Sequence, residues 1–316
     1  MSRESLLKEK KSAQPAESPR KNAMIVGIGE LLWDVYPDGR KVAGGAPFNF
    51  AFHCHQLGHP AAIVSRVGDD DLGRELRDEV RRLGLSDEWI QTDRVHPTGT
   101  VKVTLDANKV PSYEICENVA WDYIEWNEEL WRLTDICRAV CHGTLAQRGP
   151  VSLGTIDQFV SMSGGLIVCD LNLRHHYFDK ELVRWSMGPS DWVKLNDSEL
   201  AILAQLNAVP VDEIEQTVRR LCRPNQTMVV TRGGDGCVIL IGDESFSEPA
   251  VPSRVVDTVG AGDAFTAAMV CLHLEGRSLQ DCARFANHYA ARVCEHQGAT
   301  PKIDRAEVER AAFGPS

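Results

Sequence analysis

The chain has 316 residues, 43% of them hydrophobic and 25% charged, enough apolar material for a full globular core in one large unit or one unit with a small appendage. Lys and Arg number 34 against 45 Asp and Glu, a formal net charge of -11, so no broad positive field exists to hold nucleic acid or an anionic membrane. Any phosphate must therefore be bound locally, and no apolar run approaches the roughly 18 residues of a membrane span.

In chain order, residues 1–22 are charged and contain Ser and Pro, and their one apolar pair, Leu6-Leu7, falls short of a secretory signal. A disordered tail is expected there, with one domain over 23–316. Short apolar runs rich in β-branched residues follow at 24–29 (MIVGIG), 62–67 (AIVSRV), 139–142, 166–170 (LIVCD), 192–195 and 228–232 (MVVTR). They read as buried parallel strands. Helical stretches lie between them, such as 70–83, ending at Gly84, and 211–221. Strands alternating with helices predict a doubly wound α/β sheet, mostly parallel, with helices on both faces.

Residues 100–106 (TVKVTLD) break the rhythm: they alternate, with Val101, Val103 and Leu105 on one face. After the turn-like DANKVP, residues 111–116 place Tyr113 and Ile115 together, so the two segments read as a hairpin. With 31–36 (LLWDVY) they suggest a small sheet drawn from about 31–43 and 98–117, able to cover a ligand as a lid, whose exposed edges suit a homodimer. Ten cysteines scattered through apolar segments without CxxC pairing read as buried thiols in a reducing cytoplasm, Cys137 and Cys141 spanning a helix-to-strand passage. His53, His55, His175 and His176 lack the further ligands of a zinc site and read as core or surface residues.

The chemistry concentrates at 257–265, DTVGAGDAF, where small residues run into a helical composition from Ala264 to Leu274 with a stop at Gly276. Backbone amides at such a junction form an anion cradle, and glycines let the anion approach. Asp263 at the cradle would repel a phosphate unless its carboxylate had another task, such as taking a proton from an attacking hydroxyl. A turn with a helix-capping aspartate is the plainer alternative.

The DTVGAGD string resembles the C-terminal signature of the ribokinase-like (PfkB) sugar kinase family. Residues 44–58, GGAPFNFAFHCHQLG, resemble its N-terminal signature, and GxxxxGK[ST] is absent. The resemblance runs from Met24 onward and implies an ATP-dependent sugar kinase. Asp263 would be its base, and the Gly260, Ala261 and Gly262 amides would stabilise charge on the transferred group. It further implies that Asp34, Gly45, Ala46 and Asn49 meet the sugar, although Asp34 also reads as a surface residue near a turn. In DLNLR, similar to an element of fructokinases and ketodeoxygluconate kinases, Arg174 either reaches the sugar or pairs with a surface carboxylate.

Asn196 and Glu199 of NDSE resemble the family's NxxE element and would hold waters of Mg²⁺, or form only a helix cap. Thr231, Gly233 and Asn287 resemble nucleotide contacts. Asp257, Val259 and Gly298 resemble the walls of a K⁺ site. The expected reaction is phosphorylation of D-fructose to fructose 6-phosphate, with ketodeoxygluconate kinase, ribokinase and nucleoside kinase as alternatives, and a catalytically silent sugar sensor outside the enzymes.

Overall fold

The computed structural model describes residues 23–105 and 111–314; the expected tail at 1–22 and the turn at 106–110 lie outside the described residues. The first half of the chain runs β1 (Met24–Ile28), β2 (Leu32–Val35), β3 (Lys41–Gly44), α1 (Ala46–Gln56), β4 (Ala61–Gly68), α2 (Asp71–Arg82), β5 (Ile90–Asp93), β6 (Thr100–Leu105) and β7 (Pro111–Ile115). There follow α3 (Glu128–Ile136), β8 (Cys137–His142), α4 (Pro150–Met162), β9 (Leu166–Asp170), α5 (Lys180–Met187), β10 (Trp192–Asn196), α6 (Asp197–Leu206) and α7 (Ile214–Leu221). The last part is β11 (Thr227–Thr231), β12 (Cys237–Ile241), β13 (Glu244–Glu248), α8 (Ala261–Leu274), α9 (Leu279–Cys294) and α10 (Arg305–Phe313).

Nine strands form one sheet in the order β13-β12-β11-β10-β9-β8-β1-β4-β5. All neighbours from β11 to β5 pair in parallel, and β12 and β13 extend the edge antiparallel. From β1 the chain winds outward through β4 and β5, then returns to lay β8 on the other side of β1. That reversal is a topological switch point, beside which ligands of such sheets bind at the carboxyl ends of the strands.

Alternate residues of each strand feed opposite layers. Ile25, Ile63, Ala139, Val168 and Trp192 pack with α1, α8 and α9 through Phe48, Phe50, Phe265, Phe285 and Tyr289. On the other face Val26, Val64 and Val140 meet Leu133, Ile156 and Phe159, while Val193, Leu195 and Val230 meet Val183, Leu203 and Val218. Helix α8 is buried on every side from Ala264 to Leu272, as an apolar-all-round helix must be. By contrast α2 buries only Gly73, Leu76 and Val80, and Asp70 caps it by accepting from Gly73 N at 2.7 Å.

The remaining strands form a separate four-stranded sheet, β3-β2-β6-β7. Its hairpin alternates as expected: Val101, Val103 and Ile115 are buried, whereas Lys102 and Thr104 are exposed. The sequence reading needs four corrections. Helix α8 starts at Ala261 rather than Ala264, because Gly260 takes the turn at φ 78 and leaves Gly262 and Asp263 free to be helical. Cys137 does not bridge helix to strand: α3 ends at Ile136, and both Cys137 and Cys141 lie on β8. Cys116, Cys222 and Cys294 are only partly buried, since each sits at or just beyond the end of an element. Strands β5, β12 and β13 were not expected; β13 is a polar edge (ESFSE) without the apolar run that marks a central strand.

Candidate active site

Asp263 is the third residue of α8, in its first turn, at the carboxyl edge of the sheet. The first i→i−4 bond of the helix runs from Ala264 N to Gly260 O at 2.9 Å, so the amides of Gly262 and Asp263 precede the helical ladder and face outward. Gly260 must be glycine: besides its left-handed φ of 78, an added Cβ would lie 2.7 Å from Ala299 Cα. Ala299 is held in turn by α1 and α9. Buried His53 meets Ala299 O through Nε2 at 2.9 Å and Tyr289 Oη through Nδ1 at 3.0 Å. A carbonyl only accepts, so Nε2 carries the proton, and burial pushes the His53 pKa down to about 4, which keeps the ring neutral.

Across the cleft, Gly45 at φ 115 lets the chain enter α1 while packed against Glu30 O, 2.2 Å from where a Cβ would stand. Pro47 suits the first turn of α1, and Asn49 follows one turn into the helix. Asn49 Nδ2 donates to Asp263 Oδ2 at 2.8 Å. Asn172, in the left-handed region at φ 46, donates to Asp263 Oδ1 at 3.5 Å and accepts from Arg174 Nη2 at 2.9 Å. The Asp263 carboxyl is pushed up to about 6, by burial first and then by the charge of Asp170, against the pull of Asn49, Lys194 and Arg174.

Two more carboxyls stand close by. Burial raises Asp34 on β2 to about 6, and the Arg174 charge opposes the rise. Burial likewise raises Glu30, just beyond β1, to about 7, with backbone hydrogen bonds and Arg174 pulling it down and Asp263 adding to the rise. Glu30 Oε1 accepts from Ala46 N at 3.2 Å, whereas Glu30 Oε2 and Asn49 Oδ1 are buried without a hydrogen-bond partner. Burial and then the Asp34 charge raise the hydroxyl pKa of Tyr36, just beyond β2, and burial and then Tyr36 and Asp34 raise that of Tyr113 on β7. Arg174 is exposed, and the carboxyls whose charge it offsets are Glu30, Asp34 and Asp263.

The other positions singled out from sequence lie around this centre. Asn196 caps α6 by accepting from Glu199 N at 2.8 Å, and Glu199 returns one oxygen to Asn196 N at 2.8 Å and the other to Leu173 N at 2.9 Å. Asp257 accepts from Val259 N at 3.1 Å and Gly298 N at 2.9 Å, which joins the two expected walls of the cation site. Thr231 ends β11 with Oγ1 3.5 Å from Leu195 O, and Gly233 opens a short 3-10 turn beyond it. Asn287 on α9 donates to Glu248 O at 3.2 Å and Pro249 O at 3.0 Å, holding the chain that leaves β13. Thus Asp34, Asn49, Arg174 and Asp263 converge, whereas Thr231, Gly233 and Asn287 belong to the β11–β13 side.

Sequence reasoning missed Glu30, Asp170, Asn172 and Lys194. A signal existed for Lys194 and Asp170, a charge within or at the end of an apolar strand run (WVKL, LIVCD), which needs a partner. A cleft of about 490 Å³ lined by Arg148, Tyr177, Phe178 and Trp185 opens elsewhere and includes none of the residues around Asp263.

A half-buried carboxylate in the first turn of a glycine-led helix, at the switch point of a doubly wound sheet that carries a separate small sheet, defines a ribokinase-like phosphotransferase fold. The profile of the pfkB family of carbohydrate kinases matches residues 35–306, and the chain belongs to that family. It is 28% identical over 319 residues to fructokinase-1 of Oryza sativa subsp. japonica, covering 92% of this chain and 97% of the relative. A crystal structure of a sugar kinase from Pyrococcus horikoshii in complex with ATP superposes with a TM-score of 0.78 at 26% identity, over 90% of this chain and 97% of that one. The fold is also that of a fructokinase from Xylella fastidiosa with bound ATP, TM-score 0.80 at 20% identity, over 92% and 99% of the two chains.

Proposed function

We propose that this carbohydrate kinase transfers the γ-phosphoryl group of ATP to the terminal primary hydroxyl of a ketohexose, D-fructose first, with Asp263 as the general base. The observation that carries the reading is the placement of Asp263. Its carboxylate is half-buried and oriented by Asn49 at 2.8 Å, in the same helical turn as amides that precede the ladder. A base with a pKa of about 6 is ionised at neutral pH and still basic enough to take a proton as the oxygen–phosphorus bond forms.

The chain's own residues do three things in this scheme. Asp263 takes the hydroxyl proton, the Gly262 and Asp263 amides stabilise charge spreading over the equatorial oxygens while the Ala261 amide is engaged by Thr258 O at 3.3 Å, and the small sheet β3-β2-β6-β7 excludes water that would otherwise hydrolyse ATP. The residues fit a phosphate group, because the Gly262 and Asp263 amides precede the helical ladder that begins at Ala264 N. Mg²⁺ bound with the nucleotide would neutralise phosphate charge. Both oxygens of Glu199 already accept backbone amides, so it and Asn196 would act on that ion through water. Asp257 draws residues 259 and 298 together as a K⁺ site would require.

A neutral polyol is favoured over a ketodeoxy acid by the charge count. Glu30, Asp34 and Asp263 face the site against one exposed Arg174, and the two orphaned acceptors, Glu30 Oε2 and Asn49 Oδ1, suit hydroxyl donors. Retention of Asp263 argues against a silent sensor. The test is competition of D-fructose, 2-keto-3-deoxygluconate, ribose and adenosine for limiting ATP. Product ratios give relative kcat/KM, and a preference for any substrate but fructose would overturn the substrate assignment.

A further inference from the structure

Directly beneath the start of α8, on the sheet face that is otherwise apolar, lies a buried ion pair. Lys194 on β10 and Asp170 on β9 are register partners in adjacent parallel strands, with Nζ 3.1 Å from Oδ1. Their neighbours on this face are Trp192, Val168, Val229, Cys141 and Ala264, all buried. An apolar pair of similar volume would stabilise such a position at least as well, because two desolvated charges seldom repay their loss of water. The pair is tied to the anion cradle at two points. Thr266 Oγ1 donates to Asp170 Oδ2 at 2.8 Å and lies 3.0 Å from Gly262 O, bridging strand and helix. The Lys194 ammonium stands 2.8 Å from where a Cβ on Gly262 would be, so that glycine rests on the charge itself.

From this geometry we infer that Lys194 and Asp170 are positioning residues of the reaction, which set the ionisation of Asp263 through opposed charges held under Gly262. The inference rests on the reading of Asp263 as the base. The groups around Asp263 are Asn49 from α1, Asn172 and Arg174 from the segment after β9, Asp170 from β9, Lys194 from β10, Cys141 from β8 and Glu30 from the end of β1. Lys194 is the buried cation among three carboxylates, since Glu199, Asp170 and Asp263 all hold its ammonium form. Asp170 disfavours the Asp263 carboxylate and Lys194 favours it, so the two halves of one salt bridge act on the base in opposite senses.

That opposition separates a tuning pair from a merely structural one. Removing the lysine charge leaves Asp170 facing Asp263, raises the base's pKa and moves the acidic limb of the kcat/KM profile to higher pH. Removing the aspartate charge does the reverse. Lys194→Met and Asp170→Asn are therefore measured with fructose and ATP from pH 5 to 9, alongside melting temperature. Expected are limb displacements of about one pH unit in opposite directions, return of the limb towards wild type in Lys194→Met/Asp170→Asn, and an unmoved limb in Lys194→Arg. If Lys194→Met does not fold, Lys194→Gln keeps a donor towards Asp170 and serves the same arm. Lower melting temperatures with an unmoved limb, or displacements of one sign, would overturn the inference. Should Asp263→Asn stay active, it is the assignment of the base that fails instead.

Discussion

Asn49 and Asp263, 214 residues apart in sequence, meet through one hydrogen bond of 2.8 Å from Nδ2 to Oδ2. The bond joins the first turns of α1 and α8, so the two glycine-led helix starts are aligned by the residue proposed to do the chemistry. A hydrogen bond to an ionised group contributes about 1.5–3 kcal/mol, enough to fix the carboxylate's rotamer.

Asn49→Ala is expected to raise the pKa of Asp263 above its value of about 6, because the lost donor favoured the carboxylate. The acidic limb of kcat/KM should move to higher pH, with a loss of activity that persists at pH 8 through misorientation. A pH–rate profile superposable on wild type would show that the bond does not orient the base.

Glu30 gives a pH dependence of stability. Its carboxyl is raised from 4.5 to about 7 in the fold, so between those values the folded state binds more protons than the unfolded state, and stability falls as pH rises through that window. Glu30→Gln keeps an acceptor for Ala46 N and removes the titration. Relative to wild type it should be more stable by about 1–3 kcal/mol at pH 8 and nearly equal at pH 4.5. Denaturant melts at the two pH values measure this, and a difference independent of pH would contradict it.

Gly260→Ala places a Cβ 2.7 Å from Ala299 Cα on a backbone at φ 78. A destabilisation of about 1–3 kcal/mol is expected from the strained conformation. Turnover should fall beyond the fraction unfolded, because the cradle amides shift with the residue. Thermal melts read the first effect and kcat of the folded fraction the second.

Potassium in place of a bulky organic cation is expected to raise kcat, since a cation between the 257–259 turn and the 298 loop would steady the carbonyls behind the cradle. Asp257→Ala should abolish the difference. Equal rates in both salts for the wild type would remove the cation from the scheme.

Much of this architecture was legible in the sequence, for identifiable reasons. Buried parallel strands such as LIVCD and MVVTR have no polar face, so their apolar runs stand out, and DTVGAGD announces a bare helix start by composition alone. The alternation in TVKVTL marked the small sheet, and burial of Val101 and Val103 follows it. Less legible was whatever depends on juxtaposition. Glu30 lies buried where Gly45, which no sequence pattern links to it, packs on its carbonyl. Asn172 reaches Asp263 only through a left-handed backbone. Lys194 finds Asp170 only because β9 and β10 are neighbours in that register. Asn196 and Glu199 are a case where both sequence readings share one geometry: they form a capping box, and the same placement leaves a metal role through water open to test.

The most direct measurement is the turnover of Asp263→Asn with fructose and ATP, together with its affinity for the nucleotide. Asparagine keeps the shape and a hydrogen-bonding group for Asn49 but cannot take the proton. The account predicts that kcat falls by about 10²- to 10⁴-fold while the nucleotide Kd changes little. Near-wild-type turnover in that variant would contradict it.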